Sequence, residues 1–342
     1  MQNISDIKSL LALSGKPDSI PEDLMAFFLY LKKRLKKSRD KFNAFAMSYD
    51  EMDCLAGIIE QMIECCVKDL RFEIAFSKWD GSAQLNHWSF LEFNFKGTET
   101  PPGLDILICD PLGFKQSLVL TNLLSSKMKF GSLSKLCTLM IYIPIDTLQV
   151  KGRTCAYFVT DNVSMLANQD KYNPVYDYMR SHQHESKIDE AMRILAQFRE
   201  SLTNCYTEEE LNEIYDFKLV ASALPVRLLR TKHSVPELEK EVRDSENLKD
   251  EIVNYKGETA WHSISKNLFF VKDRGGEEEY RNMRINKKME KLKGIVSELS
   301  SSCLEEEIQS FYKAMHEHRL FGLKQFIIQN IKTADKPFLT LR

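Results

Sequence analysis

Four short apolar segments between residues 71 and 145 restrict what this chain can fold into more than any other feature of its sequence. Their length and strongly apolar character are typical of β-strands. The second segment alternates apolar and polar residues, and the last is almost continuously apolar. In chain order they read RFEIAFS, HWSFLEFNF, LDILICDP and TLMIYIPI. We therefore expect a central sheet built from this part of the chain.

The chain on both sides of these strands has the apolar spacing of α-helices. Helical patterns lie between residues 21 and 69 and return beyond about residue 170. A more strand-like stretch at 252–272, with turn residues at Lys256 and Gly257, interrupts the second helical region. The pattern predicts an α+β fold in which a central sheet is flanked by helices, followed by a second, small α+β unit.

Composition and charge exclude several classes of protein. With 342 residues, of which 43% are hydrophobic, the chain can bury a sizeable core, and we expect a soluble globular protein. A net charge of −2 argues against a general nucleic-acid binder, because such a protein carries a strongly basic domain. No apolar run approaches the roughly 18 residues of a membrane helix, and the N-terminus lacks the basic and apolar regions of a signal peptide. We expect neither a transmembrane segment nor a conventional signal peptide.

The chain has eight cysteines, which are scattered along it without a CxxC pair and without histidines at zinc-finger spacing. This usage predicts reduced thiols, a cytosolic working compartment and no metal site. One cysteine has an unusual context: Cys155, in LQVKGRTCAYFV, follows a polar turn and begins an apolar, helix-like stretch. The free amides and the dipole of a helix N-terminus favour a thiolate there. A buried structural cysteine fits the same pattern, so partners elsewhere in the chain must decide.

Candidate partners of Cys155 lie at strand ends. A thiol nucleophile needs a base that takes its proton and a third group that orients the base. His87 begins the second strand, and Asp110 closes the third just before Pro111. If those strands are neighbours, both side chains emerge at one edge of the sheet, where a helix beginning at Cys155 would bring its sulfur. Gln149, six residues before Cys155, could donate its amide to the negative oxygen of a tetrahedral intermediate.

The motifs HWSF, ICDPLGF and Q-x5-C together resemble the cysteine-protease clan that contains the ubiquitin-like-protein proteases, over about residues 71–168. Three later stretches make the sequence more similar to the YopJ family of bacterial effectors within that clan. They read LPVRLLRTKHS at 224–234, YKGETAW at 255–261 and YRNMRINKKMEKLKGIV at 280–296.

The resemblance implies a ubiquitin-like-protease-like catalytic core at about 70–170 within a region 1–215, in which a mixed central sheet is flanked by helices. It also implies a smaller, largely helical regulatory region with α+β parts at 216–342, which packs with the N-terminal helices. It also implies that Cys155 is the nucleophile of an acetyltransferase. Acetyl would pass from acetyl-CoA through a Cys155 thioester to serine, threonine or lysine of a host signalling or immunity protein. A bacterial secretion system would deliver the protein to the host cytoplasm.

The roles implied for the site residues follow the same resemblance. His87 is expected to be the general base, Asp110 its orienting acid and Gln149 an oxyanion donor. Two positions depart from the family pattern. Ala156 replaces the glycine that usually follows the nucleophile, and Asp110 stands where YopJ-like members often have glutamate. Aspartate is closer to the clan's proteases, whereas the added methyl of Ala156 removes no catalytic group.

Cations are concentrated in the segments that resemble the YopJ regulatory region. The planar guanidinium group of arginine can bind two phosphate oxygens at once. Positions 281, 284 and 288 are three and four residues apart, so their side chains would share one face if this segment were helical. The resemblance implies inositol hexakisphosphate as the activator, with Lys232 contacting the coenzyme as well. A solvated basic helix is the alternative. The expected ligands are Arg227, Arg230, Lys232, His233, Arg281, Arg284, Lys287 and Lys288.

Two other functions stay open on the sequence alone. A ubiquitin-like-protein cysteine protease, a deubiquitinase or deSUMOylase, would use the same triad on an isopeptide bond. A catalytically silent scaffold would leave Cys155 unreactive. The basic C-terminal region favours the acetyltransferase, because a protease has no evident need of a phosphate-binding regulatory region.

Overall fold

A computed structural model describes residues 4–34, 42–65, 68–79, 86–150, 154–167, 173–254, 256–272, 278–299, 301–316 and 318–330. Its centre is a six-stranded sheet in the order β1-β2-β3-β4-β5-β6. The pairs β2–β3 and β3–β4 are antiparallel, and the other three pairs are parallel, so the sheet is mixed as predicted. The strands are β1 Ala44–Ser48, β2 Leu70–Trp79, β3 Asn86–Lys96, β4 Gly103–Cys109, β5 Thr138–Pro144 and β6 Lys218–Ser222.

Helices cover both faces of this sheet. One face packs against α2, α6 and α7, and the other packs against α3, α4, α5 and α8. The first ten helices are α1 Ile7–Leu10, α2 Glu22–Arg34, α3 Met52–Glu64, α4 Phe114–Met128, α5 Phe130–Leu136, α6 Cys155–Leu166, α7 Asn173–Ser181, α8 Glu185–Leu202, α9 Glu208–Tyr215 and α10 Val226–Leu229. The later ones are α11 Val235–Leu238, α12 Ala260–Ser265, α13 Arg284–Glu298, α14 Ser301–Met315 and α15 Phe321–Ile328. The α+β architecture predicted from the sequence is confirmed.

The four predicted strands are β2 to β5, and they form the middle of the sheet. The two outer strands were not predicted. The edge strand β1 is five residues long and lies between two helices, and β6 comes from beyond residue 215, in the region that the sequence assigns to the second domain. Both are short and lack the long apolar run of β5, so their pairing with the sheet, rather than local pattern, makes them strands.

The strand-like stretch at 252–272 is only partly extended. It contains α12, and β7 Leu268–Lys272 pairs in an antiparallel hairpin with β8 Glu278–Asn282. The turn prediction at Lys256 and Gly257 is confirmed, because Gly257 has φ +74°, a left-handed conformation that favours glycine. No helix among the described residues is long and apolar enough to cross a membrane.

Candidate active site

The helix that carries Cys155 begins at that residue, as the sequence predicts. Helix α6 packs against β2 and β3 on one face of the sheet, and Ala156, Phe158 and Val159 are fully buried. Cys155 itself is 5% exposed. The first amides of a helix have no intrahelical partner, so the start of α6 is a favourable place for an anion.

His87 and Asp110 meet at the same edge of the sheet. Strands β3 and β4 are antiparallel, with Phe90 opposite Cys109, so the start of β3 lies beside the end of β4. His87 Nε2 lies 2.6 Å from Asp110 Oδ2, and His87 also hydrogen-bonds Cys155. The structure therefore brings together the three side chains that the sequence proposes as a triad.

The surroundings of His87 favour its charged form. Burial alone would lower the pKa of this imidazole, but the hydrogen bonds and negative charge of Asp110 and Cys155 outweigh it and raise the pKa to about 10. His87 is therefore an imidazolium at neutral pH. An imidazolium beside a cysteine is the arrangement in which a thiolate nucleophile is held ready.

Asp110 is fixed by contacts that the sequence reasoning did not identify. Ser89 Oγ donates to Asp110 Oδ2 at 2.8 Å, and the amide of Leu112 donates to Oδ1 at 2.8 Å. The amide of Asp110 donates to Ser117 Oγ at 2.9 Å. Ser89 could have been found from its position, because it is two residues beyond His87 and side chains two apart share one face of a strand.

The loop that carries Gln149 is tied to the turn after Asp110. The amides of Leu148 and Gln149 both donate to the carbonyl of Pro111, at 3.0 and 2.7 Å. The turn and the loop approach so closely that a Cβ on Gly113 would lie 2.3 Å from Thr147 Oγ1. Gln149 is 3% exposed. The predicted oxyanion donor thus lies on a backbone fixed against the acid of the triad.

Two predicted phosphate ligands, the buried Arg230 and the partly buried Arg284, form a basic pair beside α6. Arg284 Nε lies 3.7 Å from Asp161 Oδ2 on α6. Arg230 is 5% exposed, and its pKa falls to about 10, first because of burial and then because of the charge of Arg284. Its NH2 group contacts Met165 Sδ, also on α6, at 3.0 Å. The two guanidinium groups are therefore close enough for their charges to interact, and Asp161 is a nearby anion.

The helix face proposed for positions 281, 284 and 288 is wrong. Arg281 lies on β8, and α13 begins only at Arg284. The reason is Asn282, whose Oδ1 accepts the amide of Arg284 at 3.1 Å while its Nδ2 donates to the carbonyls of Arg230 and Lys232, at 3.0 and 2.9 Å. This asparagine ends the strand and joins the two basic segments, so the cations still converge from different elements.

His233 interacts with helix α6 and with the predicted phosphate ligand Arg281. Burial, followed by the charge of Arg281, lowers the pKa of His233, so this ring is neutral near pH 7. Its ring centroid lies 4.7 Å from that of Phe158, edge to face, on α6. His233 therefore packs against α6 and is close enough to Arg281 for the charge of that predicted phosphate ligand to affect it.

Lys232 occupies a different environment from the one expected for a ligand contact. It is 1% exposed, and Nζ lies 2.7 Å from Glu237, 2.8 Å from Glu241 and 3.3 Å from Asp146. Burial would lower the pKa of this amine, but the carboxylates, Asp146 first, raise it. The ammonium group is thus held by three carboxylates, of which only Asp146 is buried.

The remaining predicted cations are nearer the surface. Arg227 donates to the carbonyl of Ile252 at 3.0 Å, and Lys287 lies 4.2 Å from the ring centroid of Phe269. The side chain of Lys288 lies outside the described residues. Within the described parts of the chain, no disulfide forms and no group of three or more histidines, cysteines and acids could hold a metal ion.

Comparison with solved structures identifies the fold. The structure of AvrA delL154 with IP6 and CoA matches with a TM-score of 0.50 at 17% identity, over 86% of this chain and 96% of that one. Two crystal structures of HopZ1a match at 12% identity over 85% of this chain and 92% of theirs. The complex with IP6 and CoA gives a TM-score of 0.50, and the complex with IP6 gives 0.52.

AvrA and HopZ1a are YopJ-family effectors, so the resemblance drawn from the sequence is confirmed at the level of the fold. No protein-family model and no curated protein matches the chain by sequence.

Proposed function

We propose that this chain is a YopJ-type acetyltransferase that transfers acetyl from acetyl-CoA through Cys155 to a hydroxyl or amine of a host protein. The observation that carries the proposal is the contact of His87 with both Asp110 and Cys155, on the fold of effectors solved with CoA. A bacterial secretion system would deliver it to the host cytoplasm, where signalling or immunity proteins are the acceptors.

The first half-reaction forms the thioester. The Cys155 thiolate attacks the carbonyl carbon of acetyl-CoA, and the C=O bond opens to an oxyanion. The amide of Gln149 and a backbone amide at the start of α6 stabilise that oxygen. When the oxyanion collapses, the bond to the CoA sulfur breaks, and the imidazolium of His87 gives its proton to the departing thiolate. The products are acetyl-Cys155, CoA and neutral His87.

The second half-reaction restores the starting ion pair. Neutral His87 takes the proton of an acceptor hydroxyl or amine as that group attacks the acetyl carbonyl. The bond to Cys155 Sγ breaks, and a thiolate leaves beside an imidazolium. Asp110 keeps the His87 ring oriented throughout, a role supported by its position 2.6 Å from His87 Nε2 and by its largely buried carboxylate.

The basic residues support inositol hexakisphosphate as an activator. Arg230 and Arg284 bring two partly desolvated guanidinium groups to one place with Asp161 nearby, and a polyphosphate would supply further negative charge. We propose that these two bind it together with Arg227, His233, Arg281, Lys287 and Lys288. Because Asp161 and Met165 are on α6, a ligand here would act on the helix that carries the nucleophile.

The rival enzymatic function is a ubiquitin-like-protein protease, and the observation that favours it is Asp110. An aspartate in this place is the choice of the clan's proteases, and its contacts with His87 and Ser89 are complete in the structure. The same thiolate and oxyanion donors would serve an isopeptide bond equally well.

The test is labelling of purified protein with radiolabelled acetyl-CoA, with and without inositol hexakisphosphate, in parallel with ubiquitin-like activity probes. The proposal expects label on Cys155 that hydroxylamine removes, more of it with the polyphosphate present, and none in Cys155→Ala. Reaction with the probes alone would establish the protease instead. Absence of both reactions would leave the scaffold.

A further inference from the structure

The environment of Lys232 has a consequence for the loop that carries Gln149. A buried ammonium group is retained only when it is well paired, and Lys232 has three carboxylates within 3.3 Å. Two of these, Glu237 and Glu241, are close to it in sequence. The third, Asp146, is 86 residues away, directly beyond the end of β5. This pair therefore joins the segment at 224–243 to the catalytic half of the chain.

Asp146 begins the loop that leads to Gln149, and both of its oxygens are used. Oδ1 lies 3.3 Å from Lys232 Nζ, and Oδ2 accepts the amide of Leu224 at 2.7 Å. The side chain is 6% exposed. An aspartate held from two directions in a buried place has little freedom, so it fixes where the loop leaves the sheet.

The rest of the loop is held from both sides. On one side the amides of Leu148 and Gln149 bind the carbonyl of Pro111, beside the triad acid. On the other, the amide of His233 donates to the carbonyl of Leu148 at 2.9 Å. Lys232 and His233 are consecutive, so one short segment contacts the loop by an ion pair at Asp146 and by a backbone hydrogen bond at Leu148.

We propose that Lys232, acting through Asp146, is a positioning residue for the oxyanion donor Gln149, an inference that rests on the proposed acetyltransferase function. It does so without touching the substrate: the ion pair sets the start of the loop, and the loop sets Gln149. An oxyanion donor is effective only if it stands at hydrogen-bond distance from the developing charge before the reaction begins. A displacement of about 1 Å can lower the rate on the order of a hundredfold.

The same segment links the site to the basic pair. Asn282 Nδ2 donates to the carbonyls of Arg230 and Lys232. One asparagine therefore holds the backbone of Arg230, a member of the basic pair, and the backbone of Lys232, which forms the ion pair with Asp146. A polyanion that orders Arg230 and Arg284 thereby also orders the support of Gln149.

The experiment uses Asp146→Asn in the full-length chain. Asparagine keeps an oxygen for the amide of Leu224, and Lys232 keeps Glu237 and Glu241, so the fold is expected to persist, which circular dichroism checks. Release of CoA in a single turnover with acetyl-CoA should slow by about ten- to a hundredfold, with little change in KM for acetyl-CoA. Alkylation of Cys155 by iodoacetamide should keep its wild-type rate, because that reaction forms no oxyanion.

Two further variants separate positioning from general damage. Lys232→Met should also slow CoA release while leaving the rate of Cys155 alkylation unchanged. Lys240→Met, at an exposed lysine of the same segment, should leave both rates at the wild-type value. In a Gln149→Ala background, Asp146→Asn should cost almost nothing more, because the residue it positions is already gone. Their additivity would overturn the proposal.

Each failure has its own signature. Wild-type CoA release by Asp146→Asn, or equal slowing of alkylation and acylation, overturns the positioning role and leaves the acetyltransferase intact. A wild-type protein that is alkylated at Cys155 but never releases CoA from acetyl-CoA overturns the proposed function itself.

Discussion

At the scale of single residues, the site depends on His87 more than on any other group. Its ring contacts both Asp110 and Cys155, so it connects the proposed acid to the proposed nucleophile. The sequence could place the three proposed triad members near one another because two of them mark strand ends and the third begins a helix. It could not predict Ser89 or Ser117, whose roles depend on how the strand ends and α4 pack around Asp110.

Cys155→Ala should abolish acetyl transfer without loss of fold, since the side chain is small and His87 keeps its partner Asp110. His87→Ala should reduce the rate nearly as much, because triad members act as a unit and their losses do not add. Asp110→Asn should retain some activity. Transfer of label to an acceptor is the measurement, and a wild-type rate in Cys155→Ala would remove the nucleophile from this account.

The protonation of His87 gives a second prediction. With a pKa of about 10, the imidazole should stay charged through neutral pH and lose its proton only as the pH rises through that value. Asp110→Asn should lower the pKa, because the carboxylate contributes the strongest raising contact. An NMR titration of the His87 ring reports both values directly. If the wild-type His87 ring instead titrated near the ordinary pKa of histidine, its pairing with Asp110 and Cys155 would be contradicted.

At the scale of secondary-structure elements, the sequence patterns predicted the strands and helices that depend on their own residues. They missed the elements whose conformation depends on packing against distant parts of the chain. The apolar runs of β2 to β5 and the start of α6 are properties of their own sequences. The short strands β1 and β6 become strands only because β2 and β5 offer free edges. Likewise, Arg281 is extended rather than helical because Asn282 binds the distant segment at Arg230 and Lys232.

Helix α13 supplies the test of the polyphosphate site. Arg284→Gln removes one guanidinium group from the basic pair and should weaken inositol hexakisphosphate binding by at least about tenfold, because each charge-assisted hydrogen bond contributes roughly 1.5–3 kcal/mol. The matched control is Lys291→Gln, an exposed cation on the same helix, which should bind like the wild type. Calorimetric titration measures both. Equal affinities for the two variants would exclude Arg284 from the site.

At the scale of the whole molecule, the two ends of the chain close on each other through charge. Arg319 binds Asp23 and lies 2.9 Å from Glu51, and all three side chains are largely buried. Asp23 and Arg319 are 296 residues apart, so no local pattern could reveal their pairing. The net charge of −2 reveals neither this ion pair nor the basic pair, because both depend on which charged side chains lie close together in the fold.

This tie should stabilise the fold without taking part in catalysis. Burial would lower the pKa of Arg319, but Glu51 and Asp23 outweigh it and keep the guanidinium charged. Arg319→Met leaves two buried carboxylates without their cation, and breaking a buried pair in this way costs about 3–5 kcal/mol. A surface pair between the same two ends of the chain, Lys8 with Glu305 at 3.2 Å, provides the contrast.

Lys8→Met should change the free energy of unfolding by no more than about 1 kcal/mol, because exposed ion pairs contribute little. Denaturant unfolding of the two variants beside the wild type measures the difference, and the rate of Cys155 alkylation well below the melting temperature should be the same in all three. A small loss in Arg319→Met would show that the other contacts between the two ends of the chain, such as those of α2 with α14, hold them together without this ion pair. A slowed alkylation would show instead that closure of the chain ends reaches the catalytic helix, which packs against α2.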